Sequence, residues 1–151
     1  LMDIVIKHKE EKFLVALSEP HKPEIPKALD KAIQLVIERK ARFLDVISNR
    51  KRYTLSCGTI THIERLSREI IIYTDDGEAY KVYESLQAVS ERLPSYFSQC
   101  HSSFMVNLGY VKNLSSQETE LTGSIKLPVG RRYAKPFKAD YLKYISEHAM
   151  L

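Results

Sequence analysis

The sequence predicts a mainly β domain with short helices over residues 41–151, preceded by a strand and a helix in residues 1–40. The first observation is that apolar residues recur at every second position in much of the longer segment, as in half-buried strands. The second is Asp75-Asp76-Gly77 between two runs rich in β-branched and aromatic residues, a setting in which Asp-Gly favours a hairpin turn. The third is the helical spacing of apolar residues before residue 40.

The shorter segment is predicted to form a strand, a bend and a helix. Phe13–Leu17 is an apolar run of strand length, and three prolines follow it. Pro26 suits the first turn of a helix, because its missing N–H would have no partner there. The apolar stripe of this helix must pack on the rest of the chain or on a second copy. Its candidate dimer or docking residues are Ile25, Leu29, Ile33 and Val36.

Two further hairpins and two helices are predicted in the longer segment. One turn is expected at Ser48–Arg50, and another at Thr122-Gly123 before a run of alternating apolar residues. Ser85 is suited to cap a short helix, because its hydroxyl can accept from a free backbone N–H. Apolar residues at helical spacing predict a C-terminal helix over Tyr133–Ile145.

Composition excludes several classes of protein. No apolar run is long enough to cross a membrane, and the first residues do not have the pattern of a signal peptide. Cys57 and Cys100 cannot build a disulfide framework or a four-ligand zinc site, and the five histidines lack ligand spacing. We therefore expect a cytoplasmic protein without metal or cofactor. The net charge of +4 permits an anionic partner without requiring one.

The neighbours Cys100 and His101 raise the question of nucleophilic catalysis. Adjacent residues of a strand point to opposite faces, so the two side chains do not readily share a proton. No oxyanion loop or second acid is evident nearby. The sequence therefore favours a buried Cys100, with Phe104 and Val106 in the core, and a protein without catalytic residues.

Arg131 and Arg132 lie where a strand is expected to end and a helix to begin. Cations oppose the helix macrodipole at this end, and free N–H groups attract anions, so the pattern indicates a phosphate site. Arginine is also the commonest side chain for bidentate contacts with guanine. Gly130 is expected to supply backbone freedom before them. A merely solvated basic surface remains an alternative.

A second stretch with two arginines is predicted to be a polar loop. It covers Glu64–Glu69, between a strand that ends at Ile63 and one that begins at Ile70. Polar loops are often only exposed to solvent, so this stretch indicates a binding site only in combination with the other candidate stretches.

Two motifs together resemble the LytTR DNA-binding domain. They are Cys100–Asn107 (Cys-His-x-Ser-Phe-x-Val-Asn) and Leu127–Tyr133 (Leu-Pro-Val-Gly-Arg-Arg-Tyr). Ile70–Gly77 and Ser85-Leu86 precede them in the expected order. The resemblance extends over roughly residues 42–145, and the two motifs are more specific together than either is alone.

This resemblance implies a fold of about ten strands in an elongated arrangement of small, mostly antiparallel sheets with short helices. It implies a sequence-specific transcriptional regulator whose loops read tandem promoter repeats in successive major grooves. The implied partners are double-stranded promoter DNA, a second copy of the chain, and an upstream receiver domain or histidine kinase pathway. Residues 1–40 resemble the last strand and helix of a receiver, so the chain is expected to be the output part of a two-component response regulator.

The resemblance also assigns DNA contacts to positions of this chain. The candidate base-reading residues are Arg65, Ser67, Arg68, His101, Ser102, Arg131 and Arg132. The hydroxyl of Ser102 is short and discriminates poorly between bases. The candidate phosphate-binding residues, which position the protein without specifying sequence, are Lys112, Asn113, Tyr133 and Lys135. The alternative hypothesis is a protein–protein interaction or dimerisation module without DNA specificity, based on the apolar stripe of the first helix.

Overall fold

A computed structural model describes residues 27–33 and 42–148 of the chain. Residues 27–33 form a helix, α1, which exposes Leu29 and Ile33. The predicted strand at Phe13–Leu17, together with Ile25 and Val36, lies outside the described residues, and the docking role of this helix stays a prediction. No helix in the described ranges is both long and apolar enough to cross a membrane.

Residues 42–148 form ten strands, two α-helices and two short 3-10 helices, Cys57–Thr59 and Leu108–Tyr110. The strands are β1 (Phe43–Ser48), β2 (Lys51–Ser56), β3 (Ile60–Leu66), β4 (Glu69–Thr74), β5 (Ala79–Val82), β6 (Phe97–His101), β7 (Phe104–Asn107), β8 (Val111–Leu114), β9 (Glu118–Leu121) and β10 (Ile125–Pro128). The α-helices are α2 (Leu86–Ser90) and α3 (Ala134–His148). The strands pair in three antiparallel sheets with the orders β1-β2, β5-β4-β3-β7-β6 and β10-β9-β8. The predicted mainly β fold class is confirmed.

The three hairpin turns form at the predicted positions because local residues satisfy the turn geometry. Asn49 and Arg50 have φ angles of 54° and 66°, as a two-residue turn between twisted strands requires. In the second turn the Asp76 carboxylate accepts from the Thr74 hydroxyl at 2.6 Å and from the Glu78 N–H at 3.0 Å. Such side-chain bonds are the reason why aspartate favours turns.

Buried residues form two apolar clusters, one on either side of the five-stranded sheet. The first joins the β1–β2 hairpin and α2 to this sheet, and includes Leu44, Val46, Ile63, Ile70, Ile72, Val82 and Val89. The second joins β6 and β7 to the three-stranded sheet and α3, and includes Cys100, Val106, Leu121, Leu127, Val129 and Phe137. Cys100 and Val106 are buried as predicted, whereas Phe104 is only half-buried at the edge of the second cluster.

The prediction of a six-residue loop at Glu64–Glu69 is wrong. β3 continues to Leu66 and β4 already begins at Glu69, so only Ser67 and Arg68 form the turn. Ser67 has a φ of +60°, which suits a two-residue hairpin turn. The polar residues of this stretch are accommodated because β3 extends beyond the buried core here, and its last three residues reach solvent on both faces of the sheet.

Asn107, the asparagine of the Cys100–Asn107 motif, has a structural role at the end of β7. Its side-chain N–H donates to the carbonyl oxygen of Ile60 at 2.8 Å, and its side-chain oxygen accepts from the N–H of Gly109 at 2.9 Å. The amide is buried and satisfied on both sides, so it fixes the end of β7 against the start of β3.

His62 is a buried histidine in the middle of β3. Its Nδ1 lies 2.8 Å from the Thr61 hydroxyl, and its ring stacks on Tyr73 at a centroid distance of 4.4 Å. Burial lowers the pKa of His62 from 6.5 to about 4. The imidazole ring of His62 therefore binds a proton more tightly in the unfolded chain than in the folded one. Its contribution to stability is complete above pH 6.5, where the ring is neutral in both states, and is lost as the pH falls toward 4.

We expect the wild-type protein to lose about 2 kcal/mol of unfolding free energy between pH 7 and pH 5 through this group. Urea unfolding at both pH values, compared with a His62→Gln variant, measures the contribution. The variant should show a smaller loss, whereas His148→Gln, which removes an exposed histidine, serves as the control. Equal losses in the wild type and in His62→Gln would exclude His62 as the source.

Candidate nucleic-acid interface

Two turns of the five-stranded sheet project from the same end. Backbone pairing of β3 with β4 ends at Leu66 and Glu69, and pairing of β6 with β7 ends at His101 and Phe104. Because β3 and β7 are antiparallel neighbours, the end of β3 lies beside the start of β7. The β3–β4 and β6–β7 turns are therefore adjacent.

Backbone hydrogen bonds connect three of the predicted DNA-contacting stretches. The N–H of Arg65 donates to the carbonyl oxygen of Ser103 at 2.8 Å, and the N–H of Gly130 donates to the carbonyl oxygen of Cys100 at 2.8 Å. These bonds do not depend on side-chain rotamers, so they hold the stretches in a fixed relation. We call the resulting surface the three-loop surface. It consists of residues 65–68, 101–103 and 130–133.

Gly130 lies in a confined space at this junction and does not use the backbone freedom of glycine. Its φ is not in the left-handed region, which among the glycines of the described ranges only Gly77 and Gly123 adopt. A Cβ at Gly130 would lie 3.1 Å from Tyr133 Cδ2 and 3.5 Å from His101 Cδ2. An alanine here would require the Tyr133 ring to shift by a few tenths of an ångström, whereas its contact with His101 would be an ordinary van der Waals distance. The expectation that Gly130 supplies backbone freedom is thereby corrected.

All seven base-reading candidates lie on the three-loop surface, and all except the half-buried His101 are exposed. Ion pairs among the described residues are Lys81–Glu69, Arg92–Glu84 and Lys112–Glu120, and none includes Arg65, Arg68, Arg131 or Arg132. A guanidinium group that has no carboxylate partner can bind an anionic or acceptor-rich ligand without first breaking an ion pair. Their role as base contacts stays a prediction.

His101 is oriented by its own turn. Its Nδ1 accepts from the N–H of Ser103 at 3.1 Å, and its ring lies 5.8 Å from that of Phe104. Because Nδ1 accepts a hydrogen bond, the neutral ring carries its proton on Nε2. His101 can therefore present an N–H donor to a ligand at this surface, while Ser102 occupies the exposed tip of the turn.

The four phosphate-binding candidates divide into two groups. Tyr133 and Lys135 lie in or next to the third stretch, at the start of α3. Lys112 Nζ lies 4.0 Å from a carboxylate oxygen of Glu120, and the side-chain N–H of Asn113 donates to the same carboxylate at 3.0 Å. Sequence reasoning missed this acid, because the β8–β9 register that places it there has no local signal. Glu120 would repel a phosphate at the β8 pair, and the phosphate-binding role of all four residues stays a prediction.

Cys100 cannot serve as a nucleophile in this setting. It occupies a β-bulge between Gln99 and His101, where its Sγ lies 3.5 Å from the carbonyl oxygen of Pro128. Burial raises its pKa to about 12, so the reactive thiolate does not form near neutral pH. In the part of the chain that the structure describes, no group of three His, Cys, Asp or Glu side chains is arranged to hold a metal ion.

Comparison with known proteins identifies the family of this chain. The family model of the LytTr DNA-binding domain matches residues 50–141. The chain belongs to the LytTR family. This match confirms the resemblance carried by the two motifs, and LytTR is a family of DNA-binding and not of catalytic domains.

Among solved structures that match, one with the same fold as this LytTR domain has a described source. It is the LytTr DNA-binding domain from a Bacillus cereus protein described as a methyl-accepting/DNA response regulator. The similarity has a TM-score of 0.58 and 19% sequence identity, and covers 66% of this chain and 95% of that one. At this identity the likeness establishes the fold alone. No curated protein sequence matches the chain.

Proposed function

We propose that this LytTR chain is a sequence-specific transcriptional regulator that reads tandem promoter repeats through loops in successive major grooves. The observation that carries the proposal is the pair of backbone hydrogen bonds that holds three arginine- and histidine-bearing stretches on one surface. A two-residue hairpin turn is about 5 Å across, and the major groove is about 12 Å wide, so such turns can enter it. Exposed arginines on rigid turns are suited to contact guanine edges and phosphates.

The third stretch has two complementary ways to contact DNA. Arg131 and Arg132 precede α3, so their guanidinium groups can reach bases or phosphates while the first N–H groups of the helix attract an anion. No acidic residue lies in the first turn of α3 to compete for these groups. Lys135 adds a further cation in that turn.

We further infer that residues 1–40 serve as a connecting or dimerising segment and residues 41–151 as the DNA-binding domain of a response regulator. Support comes from α1, which exposes Leu29 and Ile33 on a short helix that would otherwise leave them in water. Two copies on tandem repeats would match the two half-sites of a promoter. Sedimentation of the full chain with Leu29→Ser and Ile33→Ser tests this part, since an unchanged mass removes α1 as the dimer element.

Binding to duplex DNA should depend strongly on salt. If each of the three stretches neutralises about two phosphates, the plot of log affinity against log salt has a slope of about −5, or roughly a thousand-fold loss from 50 to 200 mM. Fluorescence anisotropy with a labelled promoter fragment measures the slope. An affinity that stays constant across this range rejects DNA binding, and salt-dependent binding that is equal on all sequences rejects the specific regulator.

A further inference from the structure

A second exposed basic segment lies at the tip of the β1–β2 hairpin. Arg50, Lys51 and Arg52 follow one another there, and all three are exposed. Pairing of the strands continues to Ser48 and Lys51, so the two-residue turn projects directly from the sheet. Within residues 27–33 and 42–148, no carboxylate forms an ion pair with any of the three cations. We call these three residues the hairpin tip.

Contacts between the hairpin and β5 determine the direction in which the tip points. The rings of Tyr53 and Tyr80 meet edge to face, with centroids 4.9 Å apart. One residue closer to the tip, Arg52 lines a groove of about 500 Å³ together with Val82 and Tyr83. The hairpin therefore runs alongside β5, and its tip lies toward the C-terminal end of β5.

The C-terminal end of β5 is the end that carries the three-loop surface. Val82 pairs with Ile70 of β4, and Ile70 pairs in turn with Arg65 of β3. Arg65 is the residue whose N–H contacts Ser103 of the β6–β7 turn. The hairpin tip, the β3–β4 turn and the β6–β7 turn thus project from the same end of the sheet, with the tip on the β5 side.

The acids closest to the hairpin tip along these strands are already engaged. Asp45 accepts a hydrogen bond from the Thr54 hydroxyl at 2.7 Å, and Glu84 pairs with Arg92 at 3.1 Å. Glu84 is neutralised by Arg92 and Asp45 keeps its charge, so the three cations of the tip still outnumber the one unpaired acid beside them. Tyr83, which is 71% exposed, lines the same groove, so its hydroxyl is accessible to a ligand beside the tip. A cationic turn with a nearby hydroxyl is suited to bind phosphate oxygens.

We propose that the hairpin tip is a fourth DNA contact, which binds backbone phosphates beside the segment that the three-loop surface reads. This inference rests on the proposed function and adds a site to it. Because phosphates carry no sequence information, the contact raises affinity and salt dependence while it leaves base choice unchanged. The hairpin belongs to a separate sheet that packs against the five-stranded one. Packed sheets lie roughly 10 Å apart, which corresponds to about three base pairs at ~3.4 Å each.

The test uses the full chain with Arg50→Gln, Lys51→Gln and Arg52→Gln together, on a promoter fragment that the wild type binds. We expect the log–log salt slope to become shallower by about two to three, because up to three phosphate contacts are lost. The hydroxyl-radical footprint should shorten by about three nucleotides at one end, and the selected sequence should not change. Lys143→Gln, which removes an exposed cation from the C-terminal half of α3, is the control for charge alone and should keep the wild-type slope.

The outcomes separate this inference from the proposed function. Wild-type binding with an unchanged slope and footprint in the triple variant overturns the fourth contact and leaves the proposed function intact. A loss that appears on two-repeat DNA but not on a single repeat also overturns it, because the tip would then bind a neighbouring copy. The absence of any salt-dependent binding by the wild type overturns both. The three residues are exposed, and a melting temperature close to that of the wild type verifies that the variant is folded.

Discussion

Replacing Phe137 with alanine is expected to lower the unfolding free energy by about 3–5 kcal/mol, the range measured for buried phenylalanines. Phe137 is 1% exposed and packs with Cys100, Val106 and Val129 in the second apolar cluster. Its N–H also donates to the carbonyl oxygen of Tyr133 at 2.8 Å, where α3 begins. The truncated side chain leaves a cavity between α3 and the sheet, so part of the packing energy is lost together with the buried area.

Urea unfolding measures this effect, and Leu142→Ala in the same helix is the matched control. Leu142 is 55% exposed, so its truncation should change the unfolding free energy by less than about 0.5 kcal/mol. Because α3 supports residues 130–133, Phe137→Ala should also weaken DNA binding under conditions in which the protein is still folded. Equal unfolding midpoints for the two variants would show that α3 is not anchored through Phe137.

Replacing Arg131 with alanine is expected to weaken binding to the preferred DNA sequence by about 5- to 150-fold, which corresponds to 1–3 kcal/mol. Base choice should relax at one position, because a bidentate guanidinium contact would be lost there. Arg131→Lys separates charge from geometry. Lysine keeps the phosphate attraction and the salt slope, but it cannot reproduce the planar fork that matches guanine.

Competition binding with the preferred sequence and single-base variants of it measures both quantities. Lys143→Ala is the control for the loss of one exposed cation on the same domain, and it should change neither affinity nor base choice appreciably. An Arg131→Ala protein that retains full discrimination at every position would remove Arg131 from the set of base-reading residues.

Much of this fold was predictable where the determinants are local. Asp75-Asp76-Gly77 forms its turn because Asp76 accepts bonds from residues on either side of it. Ser85 caps α2 as predicted, since its hydroxyl accepts from the N–H of Ala88 at 3.0 Å. The helical spacing of apolar residues near the C-terminus predicted α3, and Phe137 lies on the buried face of that helix. In each case the information lies within a few neighbouring residues.

The errors arise where pairing between distant segments determines the outcome. Glu64 and Arg65 were predicted as loop residues because they are polar, but backbone pairing with β4 extends β3 past them. The bond between Arg65 and Ser103 involves backbone atoms, which have no signature in side-chain pattern. Glu120 faces Asn113 only through a register shift between β8 and β9. The DNA-contacting role of the candidate residues stays a prediction from the sequence, whereas the arrangement that brings them together was not predictable from it.

Selection of bound duplexes from random-sequence DNA by the full chain tests the central proposal most directly. A regulator that reads tandem repeats should enrich a motif that occurs twice, with centres about one helical turn, or 10–10.5 base pairs, or a multiple of it apart. The enriched sequence should also bind with a steep salt dependence. Recovery of a pool that is no different from the input, by protein shown to be folded, would contradict sequence-specific DNA binding by the three-loop surface.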